Sequence, residues 1–500
     1  MKAFFIGRRS TLSLYILLLI LVLFLYIFIG ENYSPLLLSL TIIACLIAVI
    51  IFLIRQENFP RIKGHFLRPS TLFITGYLIV FFQCYIDLLV GNLTEYDRLI
   101  FVDSRLINKA ALLSLGGLIT FFVGYILYTP RKNLAIARAD SSQIIYPLNI
   151  LKIFFVLVTF LFIYFNGSDC LIGSYSQEYL ENKAGTMALY SEILFIITFM
   201  SIITLHCRNS SIKGISTLWQ YVKSLGLLFH ICLLIYIGLV MISGSRGPIM
   251  ILGVSYICSF ILIAKKRVHF SHFIAFVVVG AFILTALGYA RNMDKTIPFV
   301  DRLSIAVQER EVRRESFATL TSELATSIRT LHYAMNYVPE AHPYLYGSIQ
   351  FRQVLGTIPF ASSATKSFFN DNFRYQSSAY FITWIAQGNS YTYGTGSSVV
   401  ADLYLSFGLL GVLFGLFLFG MLIRKIELYV FYIPLNKIPL FYLILAIFAY
   451  GYTILISRAS ILSPLNFFIF TVIFTYIYQV IIRMNLNIPR SRMRHACVIQ

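Results

Sequence analysis

The chain has 500 residues, 58% of them hydrophobic and only 12% charged, with a formal charge of +19 and a mean hydropathy of +0.79. A soluble domain carries about 25% charged residues, so a soluble enzyme is excluded, and a β-barrel is excluded because its alternating segments of about ten residues are missing. What remains is an all-α polytopic membrane protein, built from apolar runs long enough for a hydrocarbon core of about 30 Å.

Twelve spans are predicted, at 11–30, 35–54, 69–91, 109–128, 148–166, 187–205, 224–242, 248–264, 270–290, 399–421, 438–456 and 464–482. The basic start from Lys2 to Arg9 precedes a run without a small-residue cleavage site, so Leu12–Gly30 reads as a retained first helix. Basic residues then recur on alternate connections: Arg55 to Arg68, Arg131 to Arg138, Arg208 to Lys223, Lys265 to Arg267, Arg424 to Lys437 and Arg483 to Arg494. Only Glu57, Asp140 and Glu427 offset them. The positive-inside rule therefore places both termini and these segments in the cytoplasm, and it accounts for the net charge without nucleic acid. The chain divides into nine spans over 1–290, one large polar loop outside the cytoplasm over 291–398, and three spans with a basic tail over 399–500. Of seven cysteines only Cys170 falls on the outer side and none forms a CxxC pair, so no disulfide framework is expected. The abundant Tyr and Phe near span ends read as an interfacial belt.

Inside the loop, Phe317, Leu320, Leu324, Ile328, Leu331, Met335 and Val338 recur at three- and four-residue spacing, which predicts an amphipathic helix over the mouth of the bundle. Arg329, His332 and Asn336 share its neighbouring polar face, and Pro339 stops it. Asp87, Glu192 and Asp402 lie inside spans about a turn from the outer end, while Arg246, Arg291 and Arg458 lie at outer span ends. Charge in a membrane is costly and marks function by default. The turn Ser243-Gly244-Ser245-Arg246-Gly247-Pro248 places a guanidinium at a helix start, where free N–H groups favour an anion. Arg352 and Gly356 form an R-x-x-x-G pattern, and His332 and His342 are the outer histidines. HExxH, Walker, DxD and paired Cys/His motifs are missing from the sequence, so no metal, nucleotide or other cofactor is expected, and an activated donor would arrive on a lipid.

The turn 243–248, the large late loop and the run Gly394-Thr-Gly-Ser-Ser-Val-Val-Ala-Asp402-Leu-Tyr404-Leu-Ser-Phe-Gly408-Leu-Leu-Gly411 together resemble the O-antigen polymerase (Wzy) family. That resemblance implies a GT-C-like, lipid-dependent glycosyltransferase in the bacterial inner membrane with its large loop in the periplasm. It implies transfer of a growing glycan from undecaprenyl pyrophosphate to a sugar hydroxyl of the next lipid-linked repeat unit, with a chain-length regulator and a flippase as partners. In that reaction Arg246 and Arg291, then Arg352 and Arg329, would hold the leaving pyrophosphate. His332 or Asp402 would act as base, and Arg458 and Tyr404 would contact substrate. An O-antigen ligase, or a lipid-linked oligosaccharide flippase, is the alternative.

Overall fold

A backbone in lipid has no water to bond, so an apolar run closes its hydrogen bonds within itself as a helix. The computed structural model describes residues 8–54, 66–129, 146–172, 185–243, 245–265, 268–292, 301, 305, 321–358 and 373–485, and every regular element among them is helical. In chain order they are α1 Arg8–Phe28, α2 Pro35–Ile54, α3 Pro69–Val90, α4 Ile107–Leu127, α5 Asn149–Ile172, α6 Gly185–Lys213, α7 Leu218–Leu225, α8 Leu227–Ser243, α9 Gly247–Ala264 and α10 Phe270–Asn292. The inserted segment contributes α11 Ser322–Ala325, α12 Arg329–Tyr337, α13 Ser348–Leu355 and α14 Ser378–Gln387, and the chain continues with α15 Val399–Tyr432, α16 Leu440–Ile456 and α17 Leu465–Asn485. Gly244, Phe317 and Leu320 lie outside the described residues, as do the side chains of Cys170, Arg291 and Cys497.

Among the described residues, nine helices are long and apolar enough to cross a membrane, or ten if α7 and α8, bent by 92°, form one span. The described part of α10 and all of α16 are shorter apolar helices. An apolar helix thus stands at each of the twelve expected positions, while length and composition qualify nine or ten.

Helices in lipid gain little from apolar contact alone, so close packing through small residues matters. Three seams show it. A Cβ on Gly124 of α4 would lie 2.1 Å from the Phe417 carbonyl oxygen of α15, and one on Gly420 would lie 2.2 Å from that of Phe121. A Cβ on Gly76 of α3 would lie 2.2 Å from the Ile454 oxygen of α16. Across the α16–α9 contact, a Cβ on Gly451 would lie 2.4 Å from Ser255 Oγ. Backbone therefore meets backbone along α4–α15 and α3–α16, and α9 is drawn against α16.

The largest departure from expectation is α15. It does not end near 421 but runs to Tyr432, and it is broken at Phe407 and Gly408, whose φ/ψ of −144°/24° and 60°/−142° are not helical. Arg424 and Glu427, expected in a cytoplasmic loop, are buried in it. Glu427 accepts from the Ser70 backbone N–H at 2.9 Å and from the Tyr125 hydroxyl. Its carboxylate thereby caps the positive start of α3. Arg424 lies 5.1 Å from the Tyr125 ring centroid. An embedded carboxylate tolerates burial when its lone pairs are filled, and a hydropathy window does not register that compensation.

Replacing Gly124 by Val should drive a side chain into the α15 backbone, which rotamers cannot relieve. We expect a loss of about 1–3 kcal/mol or more, seen as a lower melting temperature in detergent. Gly238→Ala, with nothing within 4 Å of its added Cβ, should melt like the parent.

Candidate functional site

The break in α15 releases two carbonyls that a continuous helix would use. They are taken by the inserted segment: Leu345 N–H donates to Leu405 O at 2.8 Å, and Tyr346 N–H to Ser406 O at 3.0 Å. Only glycine tolerates the break, because Gly408 has φ +60° and a Cβ there would lie 2.7 Å from the Tyr344 hydroxyl. Gly411 permits the fold-back that follows, since its Cβ would lie 2.3 Å from the Leu403 oxygen. The Phe-Gly-x-x-Gly run is thus a device for turning α15 into a half-helix, Val399–Ser406, on which the insertion docks.

The half-helix starts at Ser398, whose hydroxyl accepts from Ala401 N–H at 3.4 Å and from Thr330 Oγ1 at 2.8 Å. That contact places Arg329, the first residue of α12, beside the start of α15; its Nε is buried and makes no hydrogen bond. The Tyr404 hydroxyl donates to Val338 O at 3.3 Å, fixing the end of α12.

Asp402 is 1% exposed. Its Oδ2 accepts from Ile461 N–H at 3.1 Å, and Val399 N–H donates to Ser457 O at 3.3 Å. These two bonds clamp the 457–461 turn to the half-helix and carry Arg458 with it. Helix α13 closes the same corner. Gln353 donates to Ser460 Oγ at 2.8 Å, and Gln350 accepts from Ser406 Oγ at 2.8 Å. Arg352 sits between them on α13, half-buried. Asp402, Tyr404, Arg352 and Arg458 are therefore gathered around one half-helix.

Arg458 is exposed and lines a narrow cleft with Gly76, Val80, Met250, Phe276, Leu324 and other apolar groups. A second, roomier cleft adjoins it through Ile79 and Thr321. On another edge stands Arg246, which holds the Glu323 carboxylate through both terminal nitrogens. Glu323 lies between Thr321 and Leu324, which both line the first cleft. An apolar trough with a guanidinium at its rim suits a lipid that ends in an anion.

His332 lies apart from this group. Rather than occupying a polar face, it is 0% exposed, with Nε2 3.0 Å from the Tyr85 hydroxyl of α3 and Phe101 edge-on at 5.6 Å. Burial pushes its imidazole down to about 4, against weaker opposing pulls from the Phe101 backbone and Asp103. Asp87 is likewise held locally, accepting from Asn92 Nδ2 at 3.1 Å. Arg291 lies in the last turn of α10 with its side chain outside the described residues. Glu323, Gln350, Gln353 and the Tyr344–Tyr346 strip were not singled out from sequence. The one local signal was Gly408 inside an apolar run.

Gly408→Ala should loosen the docked segment and raise hydrogen exchange at the Leu345 and Tyr346 amides, while Gly394→Ala, in open space, should leave both unchanged. The His332 environment also has a pH signature. Its ordinary value is 6.5 and its folded value about 4, so the unfolded chain takes up the proton first as pH falls. Folding should lose about 3 kcal/mol between pH ~6.5 and ~4 through this group. Melting of His332→Gln should show a correspondingly smaller decline across that window than the parent; identical declines would contradict this assignment.

Comparison with known proteins finds no match among curated proteins or solved structures. A family model does match, described as O-antigen polysaccharide polymerase Wzy, and it covers residues 11–487. With nearly the whole chain matched, together with its apolar helices and docked late insertion, the protein belongs to the O-antigen polysaccharide polymerase Wzy family.

Proposed function

We propose that the chain polymerises lipid-linked oligosaccharide repeat units at the periplasmic face of the bacterial inner membrane, with both termini cytoplasmic. The observation that carries this is the clamp of the 457–461 turn onto the broken α15, which ties the turn bearing Arg458, at the rim of an apolar cleft, to a buried carboxylate, Asp402, on the half-helix.

The reaction needs three things: a berth for a polyprenyl chain, positive charge for a departing pyrophosphate, and a group to take the acceptor hydroxyl's proton. The cleft between α3, α9, α10 and α16 serves as the berth. Arg458 holds the phosphate end, with Arg246, Arg291, Arg329 and Arg352 as further cations around the half-helix and its flanks. Fixed guanidinium groups stabilise a leaving pyrophosphate as its charge grows and supply the positive charge in this reading. The acceptor hydroxyl attacks the anomeric carbon, the bond to pyrophosphate breaks, and Asp402 takes the proton. His332, with its ring enclosed by Tyr85 and Phe101, positions the α12–α3 contact in this scheme. The hydrogen bond of Tyr404 to Val338 keeps α12 against the half-helix.

The test is a strain that lacks its own polymerase and makes the matching repeat unit. The gene should restore a ladder of lipopolysaccharide bands. Arg458→Ala, Arg246→Ala and Asp402→Asn should each cut the rate of polymer formation by about a hundredfold or more at unchanged protein level, the scale expected for one electrostatic or proton-transfer group. A persistent single-repeat band, with the protein in the membrane and the repeat unit matched, would defeat the proposal and favour a ligase or flippase.

A further inference from the structure

The opposite end of the bundle carries a second concentration of charge that the polymerase chemistry does not use. Helices α6 and α17 run side by side there, with Ser201 Oγ and Thr475 Oγ1 2.8 Å apart, and each brings an arginine to its last turns: Arg208 and Arg483. Tyr146, just ahead of α5, joins them. Asn209 fixes its backbone from both sides, accepting from Tyr146 N–H at 3.1 Å and donating to Tyr146 O at 2.7 Å. The ring is 1% exposed. Arg208 stands 5.8 Å from its centroid, and Arg483 Nη2 donates to its hydroxyl at 3.2 Å. The Arg483 Nε is buried and makes no hydrogen bond. The Tyr478 hydroxyl, donating to Pro147 O, ties the start of α5 to α17.

Two guanidinium groups converging on one phenol repel each other, and an anion between them turns that repulsion into attraction. The planar forks suit the oxygens of a phosphate. The flanks of this corner say which phosphate. On α17, Ile477, Val480, Ile481 and Met484 are exposed, and on α5 so are Ile150 and Ile153. These are apolar faces turned outward on both sides of a basic corner at helix-end depth. Basic pockets between spanning helices at this level bind anionic headgroups.

We propose that Arg208, Arg483 and Tyr146 form a headgroup site for an anionic phospholipid of the leaflet opposite the polymerase site. The phosphate sits between the two guanidiniums, and the acyl chains lie along the outward faces of α5 and α17. Such a lipid adds a tie across the start of α5 and the ends of α6 and α17, helices that already pack through Phe155–Phe195, Phe154–Phe474 and the Ser201–Thr475 pair.

The test uses the full chain in nanodiscs made from equal parts phosphatidylglycerol and phosphatidylethanolamine, released for native mass spectrometry. Arg483→Gln and Arg208→Gln should each lower retained phosphatidylglycerol about fivefold, the change that ~1 kcal/mol per basic side chain near a membrane surface represents. Arg8→Gln, whose parent donors serve the Ile126 and Leu127 carbonyls, should retain it as the parent does. Equal retention in Arg483→Gln and the parent, or an equal loss in Arg8→Gln, overturns the proposal. If Arg208→Gln does not fold, Arg483→Gln at the partly exposed helix end carries the test alone. A parallel melt in neutral detergent separates lipid from free anion. Phosphatidylglycerol should raise the parent's melting temperature and not that of Arg483→Gln; inorganic phosphate doing so equally well would mean a free-anion site, and the lipid assignment would fall.

Discussion

The break in α15 is the constraint on which the architecture of the docked insertion depends. A helix interrupted in a membrane protein leaves carbonyls that lipid cannot satisfy. Here Leu345 and Tyr346 of the insertion satisfy them, so a polar segment becomes part of the bundle instead of lying above it. Once that strip is docked, α13 follows, and its glutamines reach Ser406 and the 457–461 turn. The same half-helix holds Asp402 and Tyr404. Backbone satisfaction and site assembly are therefore one event, driven by a glycine conformation that no other residue adopts cheaply.

The remainder of the bundle provides rigidity for that event. Along α4–α15 and α3–α16, glycines let main chains touch, and α3 meets α15 again through the cap that Glu427 places on its start. The lower part of α15 is thus fixed by packing and by a buried carboxylate, while its upper part is bent toward the insertion. A helix anchored so firmly at one end is a sound support for a precise geometry at the other.

Charge is divided between the two ends according to what each must meet. Around the cleft, guanidiniums stand at the edges of an apolar trough, and Arg246 is matched with Glu323. At the far end, arginines gather on Tyr146 beside outward apolar faces. In both arrangements a guanidinium beside apolar surface is held by a specific side chain of the protein, the Glu323 carboxylate in one and the Tyr146 ring and hydroxyl in the other.

The sequence by itself determined the class of this protein, the positions of its apolar helices and the stop of α12 before Pro339, because hydropathy over about twenty residues and the fixed geometry of proline are local properties. It also marked Asp402, Tyr404, Gly408 and Gly411 as one meaningful run, although their roles as anchor, clasp, hinge and fold-back were not legible there. Only the tertiary structure decided that Glu427 lies inside a helix, that His332 is enclosed rather than facing the outside, and that Arg246 meets Glu323. In each case the partner is distant in sequence: Ser70 and Tyr125 for Glu427, Tyr85 and Phe101 for His332, Glu323 for Arg246. The energy of a buried polar group is set by what it bonds to, and helix packing, not local pattern, selects that neighbour.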